Sequence, residues 1–405
     1  MDLSDDARSL HPDLVALRRE LHREPEIGLE LPRTRDRVRT ALQGLPLEIT
    51  DGESTTSVTA VLRGGAAREG DGPVVLLRGD MDGLPVAENS GESFAAETGT
   101  MHACGHDLHT SALIGAAQLL SAHRDRLAGD VVFMFQPGEE GWDGAGRMID
   151  EGVLTAAGRR ADHAYGLHVF ANRMPSGLVT TRPGVFLSAS HALDVTVHGA
   201  GGHGSNPHTA RDPITAAAEM ITSLQTMVTR RFDMFDPVVL TVGVVRAGTR
   251  RNVIPDTAQF SATVRSFSDA HARTLPLLVR EVCAGVAAAH GVRAEVSWHD
   301  EYPRTVNDAD EVGFAQGVCT ELLGEERFTL APDPVSGSED FSKILDAIPG
   351  AFLGMGACPP GTATQEAPMN HSPLARFDDA VLGDAAALHA SLAATRLAPA
   401  AGVVR

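Results

Sequence analysis

Leu10, Leu14, Leu17 and Leu21 recur at steps of three or four, which predicts helix within residues 4–43, and Pro25 interrupts the pattern. Val58–Leu62, Val74–Leu77 and Val131–Gln136 are short apolar runs closed by turn residues, as buried strands are, and Ser111–His123 reads as a helix between the last two. Asp162–Phe170 repeats that arrangement. From Ser190 the texture changes, because Leu193, Val195 and Val197 alternate with polar residues. A helix over 212–230, strands Val238–Val245 and Ala258–Ser266, a helix Ala270–His290 and a strand Ala294–His299 follow. That β-α-β-β-α-β order is the split βαβ, ferredoxin-like pattern. The first texture then returns with a helix Asp308–Leu323, a strand Ala351–Met355 and a helix Asp378–Thr395. The expected organisation is an α/β catalytic domain in two segments, 1–187 and 305–405, with a small α+β domain inserted at 188–304.

Composition narrows the partners. A chain of 405 residues has room for two domains, and no stretch of about 18 apolar residues suggests a membrane span. The start, MDLSDDARSL, is charged rather than signal-like, so a cytoplasmic protein is expected. A net charge of −19 argues against nucleic acid and anionic membranes. Cys104, Cys283, Cys319 and Cys358 have no framework spacing, so a metal or catalytic thiol is favoured over disulfides.

Chemistry concentrates in Met101–Thr110, MHACGHDLHT, which reads as half of a metal site. His102, Cys104, His106 and His109 cannot all face one way on a helix, so the segment is expected to be a turn that delivers two or three ligands. Thiolate beside imidazole selects zinc-like transition metals over magnesium or calcium. Asp80 and Asp82 in RGDMDGLP stand just past a buried strand, where α/β sheets usually bind ligands. The pair Glu139–Glu140 in PGEEGW fits either a charged helix start or one metal ligand with an adjacent base. His168 ends another strand, and His371 lies in a distant loop, MNHSP. His22–Glu30, HREPEIGLE, reads as a solvated helix end. In the inserted segment GAGGHGSNPH is a glycine-rich turn able to approach a ligand closely, followed by Arg250, Arg251, Asn252 and Arg265.

Taken together, RGDMDGLP, MHACGHDLHT, QPGEEG, GLHV, GGHGSNPH, NVIP, GSEDF and MNHSP, in this order, resemble the metal-dependent aminoacylase and carboxypeptidase family. The branch they are most similar to contains N-acyl-amino-acid amidohydrolases, hippurate hydrolases and auxin-conjugate hydrolases. The resemblance implies a zinc-peptidase-like α/β catalytic domain with a mixed sheet, and an inserted ferredoxin-like domain through which homodimers form. It also implies two divalent ions per chain, zinc or manganese foremost and cobalt or nickel as alternatives. Their ligands would be Cys104, His106, Glu140, His168 and His371. Glu139 would be the general base, Asp82 the carboxylate orienting a histidine ligand, and His203 the donor to the oxyanion. Asn252 and Arg265 would hold the substrate carboxylate. The expected reaction is hydrolysis of a small N-acyl amino acid, with a dipeptidase of the same family as the rival and a non-catalytic metal-binding protein as the more distant one.

Overall fold

In the computed structural model, which describes residues 3–66 and 72–398, the run of leucines forms the helix Ser4–Arg23. Leu14 and Leu21 are buried, yet so are Arg18 and His22 on the same helical face. Arg18 Nε and His22 Nδ1 each lie 2.7 Å from Asp107 Oδ2, and His22 Nε2 lies 3.1 Å from Glu88 Oε1. The segment HREPEIGLE is therefore the last turn of that helix and a partly buried loop, anchored inward at His22 rather than solvated throughout. Its backbone is held by Gly83 N–H to the Glu26 carbonyl at 2.7 Å and by Thr56 N–H to the Leu29 carbonyl at 3.0 Å. A counter-charge 85 residues away draws these polar groups inward, which local spacing does not reveal. Pro32 then opens the second helix, Pro32–Leu42, where a missing N–H costs nothing.

Contacts divide the chain into two compact units. The first comprises Met1–Phe186, Val306–Asp333 and Asp340–Arg405. Its sheet has eight strands in the order Leu47–Asp51, Val58–Arg63, Asp130–Gln136, Val74–Asp80, His163–Phe170, Gly350–Gly356, Val179–Thr181 and Phe328–Leu330. The central strands Asp130–Gln136, Val74–Asp80, His163–Phe170 and Gly350–Gly356 are parallel, and antiparallel pairs on either side make the sheet mixed. Val74–Asp80, Asp130–Gln136 and Gly350–Gly356 are buried along their whole length, which is why they read as continuous apolar runs. Each buried Phe or Leu here, Phe133 and Leu77 for example, contributes about 1.5–3 kcal/mol over an exposed one. The helices Ser4–Arg23, His106–Ala122, Ala309–Leu323 and Val381–Arg396 pack together as one layer. Gly79 sets the closest approach: a Cβ there would lie 2.9 Å from the His109 carbonyl oxygen, so glycine lets His106–Ala122 lie directly on the strand that ends in Asp80.

The second unit comprises Leu187–Thr305 and a short return, Pro334–Glu339, so it is not one continuous insertion. Ser188 explains the return, because its N–H and Oγ reach the carbonyls of Val335, Ser336 and Gly337 at 2.9–3.2 Å. The antiparallel sheet runs Val238–Ala247, Thr257–Ser266, Ala189–His198, Arg293–Tyr302, and carries the helices Pro213–Arg231 and Asp269–His290. Leu193, Val195 and Val197 point into its core with Phe260, Leu224 and Val279, while Asp194 between them is exposed. Among the described residues no helix is long and apolar enough to cross a membrane.

One buried ionic cluster braces the first unit. Glu311, on the helix capped by Asp308, accepts from Arg396 Nη2 at 2.6 Å and from the Tyr165 hydroxyl, and lies 2.9 Å from His163 Nδ1. Burial pushes its carboxyl upward, but His163, Tyr165 and Arg396 outweigh that and hold it down at about 2. A depressed folded pKa stabilises fully above the ordinary value of 4.5 and fades as pH falls from there toward 2. Glu311→Gln should cost roughly 1–3 kcal/mol in urea unfolding at pH 7. That gap should shrink on acidification below pH 4.5; equal stability at pH 7 would contradict the cluster's role.

Candidate metal centre

The parallel strands end on one edge of the sheet, and the polar side chains gather there. Asp80 closes Val74–Asp80 with Asp82 just beyond, Glu139 and Glu140 follow Gln136, and His168 lies near the end of His163–Phe170. Gly105, at φ +88°, turns the chain so that Cys104 precedes a helix starting at His106 itself, five residues earlier than its apolar pattern suggested. A Cβ at Gly105 would meet Val169 Cγ2 at 2.5 Å, so the turn needs glycine for space as well as for conformation. His371 holds a left-handed backbone, φ +71°, uncommon for a residue with a Cβ, and its N–H donates to the Ala103 carbonyl at 2.8 Å.

These turns bring Cys104, His106, Glu140, His168 and His371 together. Cys104 Sγ lies 3.3 Å from His168 Nε2 and 3.2 Å from His371 Nε2. Glu140 Oε1 is 3.1 Å from His371 Nε2 and 4.0 Å from His106 Nε2. The donor atoms form two triads, Cys104/His106/His168 and Cys104/Glu140/His371, each spanning no more than 4.8 Å and both containing the thiol.

Supporting groups decide which donors face inward. His168 Nδ1 donates to the Val169 carbonyl at 2.8 Å, which leaves the Nε2 lone pair toward the sulfur. Asp82 accepts the backbone N–H groups of Glu139 and Glu140, at 3.0 and 3.1 Å, and its Oδ1 stands 3.4 Å from His106 Nδ1. One carboxylate thus sets the glutamate turn and faces a ring that carries a donor. His109 is committed elsewhere: Nδ1 meets Asp80 Oδ1 at 2.5 Å and Nε2 accepts the Val169 N–H at 2.8 Å. His102 is buried away from the cluster, 6.2 Å from the His22 ring, and burial first of all drives its pKa down to about 3. The opening motif therefore brings Cys104 and His106 into the cluster around the thiol, while His109 closes a separate group with Asp80 and His106.

The donor set suits divalent cations. His106 Nδ1 and Nε2 and Glu140 Oε1 are buried without a well-aligned hydrogen bond. Cys104 and Glu140 raise the His371 pKa to about 10, and His106 is raised well above its usual range because Asp80, Asp82 and Cys104 outweigh its burial. Protons are drawn to the places where cations would sit, and imidazole, thiolate and carboxylate are the donors that borderline transition metals prefer.

His203 and Asn252 come together in the second unit, where Gly202–His203 pairs with Val253–Ile254 and Gly204 N–H donates to the Asn252 carbonyl at 2.8 Å. Arg265 lies on the strand Thr257–Ser266, with Nη1 3.9 Å from Glu301 Oε2. Two residues gain a role that sequence reading did not assign. Asp340, in GSEDF, accepts from Arg78 Nη2 at 3.1 Å, Gln136 Nε2 at 2.8 Å and Ala145 N–H at 2.9 Å, tying two strand ends to the helix Gly144–Asp150. Asn370, beside His371, bonds to the segments carrying Cys104 and His168. Only the acidic and amide side chains inside otherwise recognisable motifs signalled them.

This fold, with its clustered ligands at the strand ends, defines a metal-binding hydrolase. The chain belongs to peptidase family M20/M25/M40, whose model matches residues 76–395. It is 38% identical over 387 residues to IAA-amino acid hydrolase ILR1-like 2 of Arabidopsis thaliana, across 94% of this chain and 84% of that one. Over 388 residues it is 35% identical to N-acetylcysteine deacetylase of Bacillus subtilis, across 95% and 97%. A solved Bacillus subtilis structure, described as a dinuclear metal-binding peptidase from the M20 family, aligns with a TM-score of 0.79 at 32% identity, across 96% and 99%. The protein is thus an amidohydrolase enzyme of that metallopeptidase family, and its donor clusters together with this neighbour support a centre for two divalent metals.

The bridge from Asp82 to the glutamate turn yields a test. Asp82→Ala should lower zinc affinity about 10- to 100-fold in equilibrium dialysis while circular dichroism stays native. Wild-type affinity in that variant would show that the bridge plays no part in the centre.

Proposed function

We propose that the enzyme hydrolyses the amide bond of small N-acyl amino acids, releasing the free amino acid. The observation that carries this reading is the position of Glu139: its backbone is anchored by the same Asp82 carboxylate that anchors Glu140, whose side chain lies in the donor cluster. Adjacent residues then divide the labour, Glu140 holding metal and Glu139 acting as base. Cys104, His106, His168 and His371 complete the ligand set, with zinc or manganese as the foremost ions. Such ions, when bound, lower the pKa of a water and polarise the scissile carbonyl. Glu139 takes the proton from that water and returns it to the departing amine, a task worth roughly 10²- to 10⁴-fold in rate.

The second unit supplies groups suited to the substrate's polar ends. His203 Nδ1 accepts the Ser205 N–H at 3.2 Å, with Ser205 Oγ at 2.8 Å, so a neutral ring carries its proton on Nε2 and can donate to an oxyanion. Arg265 is half-buried, and its buried Nη1 has no hydrogen-bond partner. A guanidinium in that state, with Asn252, suits the free carboxylate of the amino acid by a forked pair of bonds. His203 is read as acting on the partner subunit of a homodimer.

Amino-acid release from N-acetyl, N-benzoyl and longer N-acyl amino acids, run beside unblocked dipeptides, tests the substrate class. Faster turnover of the N-acylated compounds is expected, and a clear preference for dipeptides would favour the peptidase reading. Glu139→Gln should keep its metal and lose at least about 10²-fold in kcat, whereas Glu140→Gln should lose metal. His203→Ala should fall about 10²- to 10³-fold in kcat with metal intact. Mixing the Glu139→Gln and His203→Ala variants under subunit exchange should restore activity; a mixture that stays dead despite proven exchange contradicts action across the dimer.

A further inference from the structure

The Asn370 side chain stands where three donor-bearing segments meet. Its Oδ1 accepts the Ala171 N–H at 2.9 Å, and its Nδ2 donates to the Val169 carbonyl at 3.0 Å and the Cys104 carbonyl at 3.2 Å. The same Nδ2 lies 3.9 Å from Cys104 Sγ, within reach of an N–H···S hydrogen bond. The Val169 carbonyl is also the acceptor for His168 Nδ1, at 2.8 Å. The next residue is His371, held at φ +71°. One planar amide therefore holds the backbone just after His168 at two points, reaches the backbone carbonyl and sulfur of Cys104, and is followed directly by His371.

An amide suits this position because it offers an acceptor and two donors in one plane. A carboxylate of the same shape would keep the bond to Ala171 N–H but set an anion against two carbonyl oxygens and a thiolate. An alanine would leave the Ala171 N–H and a share of both carbonyls without their partner.

We infer that Asn370 is a positioning residue of the metal centre, fixing the spacing of Cys104, His168 and His371 and sharing one of its two N–H groups between a carbonyl and the thiolate sulfur. This rests on the reading of those three residues as ligands. Groups behind a ligand commonly change metal affinity 10- to 100-fold, and a hydrogen bond to a thiolate lowers the electron density it gives the metal.

The test is a cobalt(II) titration of metal-free protein, read by affinity and by the sulfur-to-cobalt charge-transfer absorption. Asn370→Asp should bind cobalt about 10- to 100-fold more weakly and shift that absorption, with the melting temperature of the metal-free form near wild type. If Asn370→Asp does not fold, Asn370→Ala is read by the same two criteria. A variant with wild-type affinity and an unmoved band overturns the inference. A wild-type protein without any sulfur-to-cobalt band would instead overturn the ligand reading beneath it.

Discussion

The sulfur of Cys104 is the point on which the first unit converges. It lies 3.3 Å from His168 and 3.2 Å from His371, and it belongs to both donor triads. A cysteine sulfur, three imidazoles and a carboxylate packed this closely share protons or cations. Strand ends, a glycine turn at positive φ and a strained histidine are all arranged to keep them there. The parallel sheet makes this possible, since it brings loops far apart in sequence to one edge.

Behind the donors lies a layer of buried ionised groups that holds the edge in shape. Arg78 is fully buried and bonds Asp80, Gln136 and Asp340; Asp80 in turn fixes His109 against the Val169 amide. Burial works to protonate Asp80, but Arg78, His106 and His109 keep its pKa well below the ordinary range. Networks of this kind add little net stability over apolar packing, because desolvation offsets attraction. Their effect is to fix geometry. On the other side of the motif Arg18, His22 and Asp107 form a second such group.

Much of this was legible in the chain. The central strands announced themselves as apolar runs because parallel strands covered on both faces have no polar side, and the second unit showed its alternation because its sheet has one covered face. The density of Cys, His and paired Glu marked where chemistry lay. What the sequence hid was long-range pairing. His22 reads as solvated until Asp107 supplies a buried partner, and Asn370 meets Val169 and Cys104 across 201 and 266 residues. The helix start at His106 was missed because Gly105 opens it without a capping side chain.

Because Cys104 belongs to both triads, we propose that its sulfur serves both metal positions, and metal stoichiometry with affinity decides this. Wild-type protein should bind two divalent ions per chain. Cys104→Ser should weaken both together, since a hydroxyl is a poor replacement for thiolate, while His106→Ala should weaken chiefly one. If Cys104→Ser retained one ion at wild-type affinity, the shared-sulfur account would be contradicted.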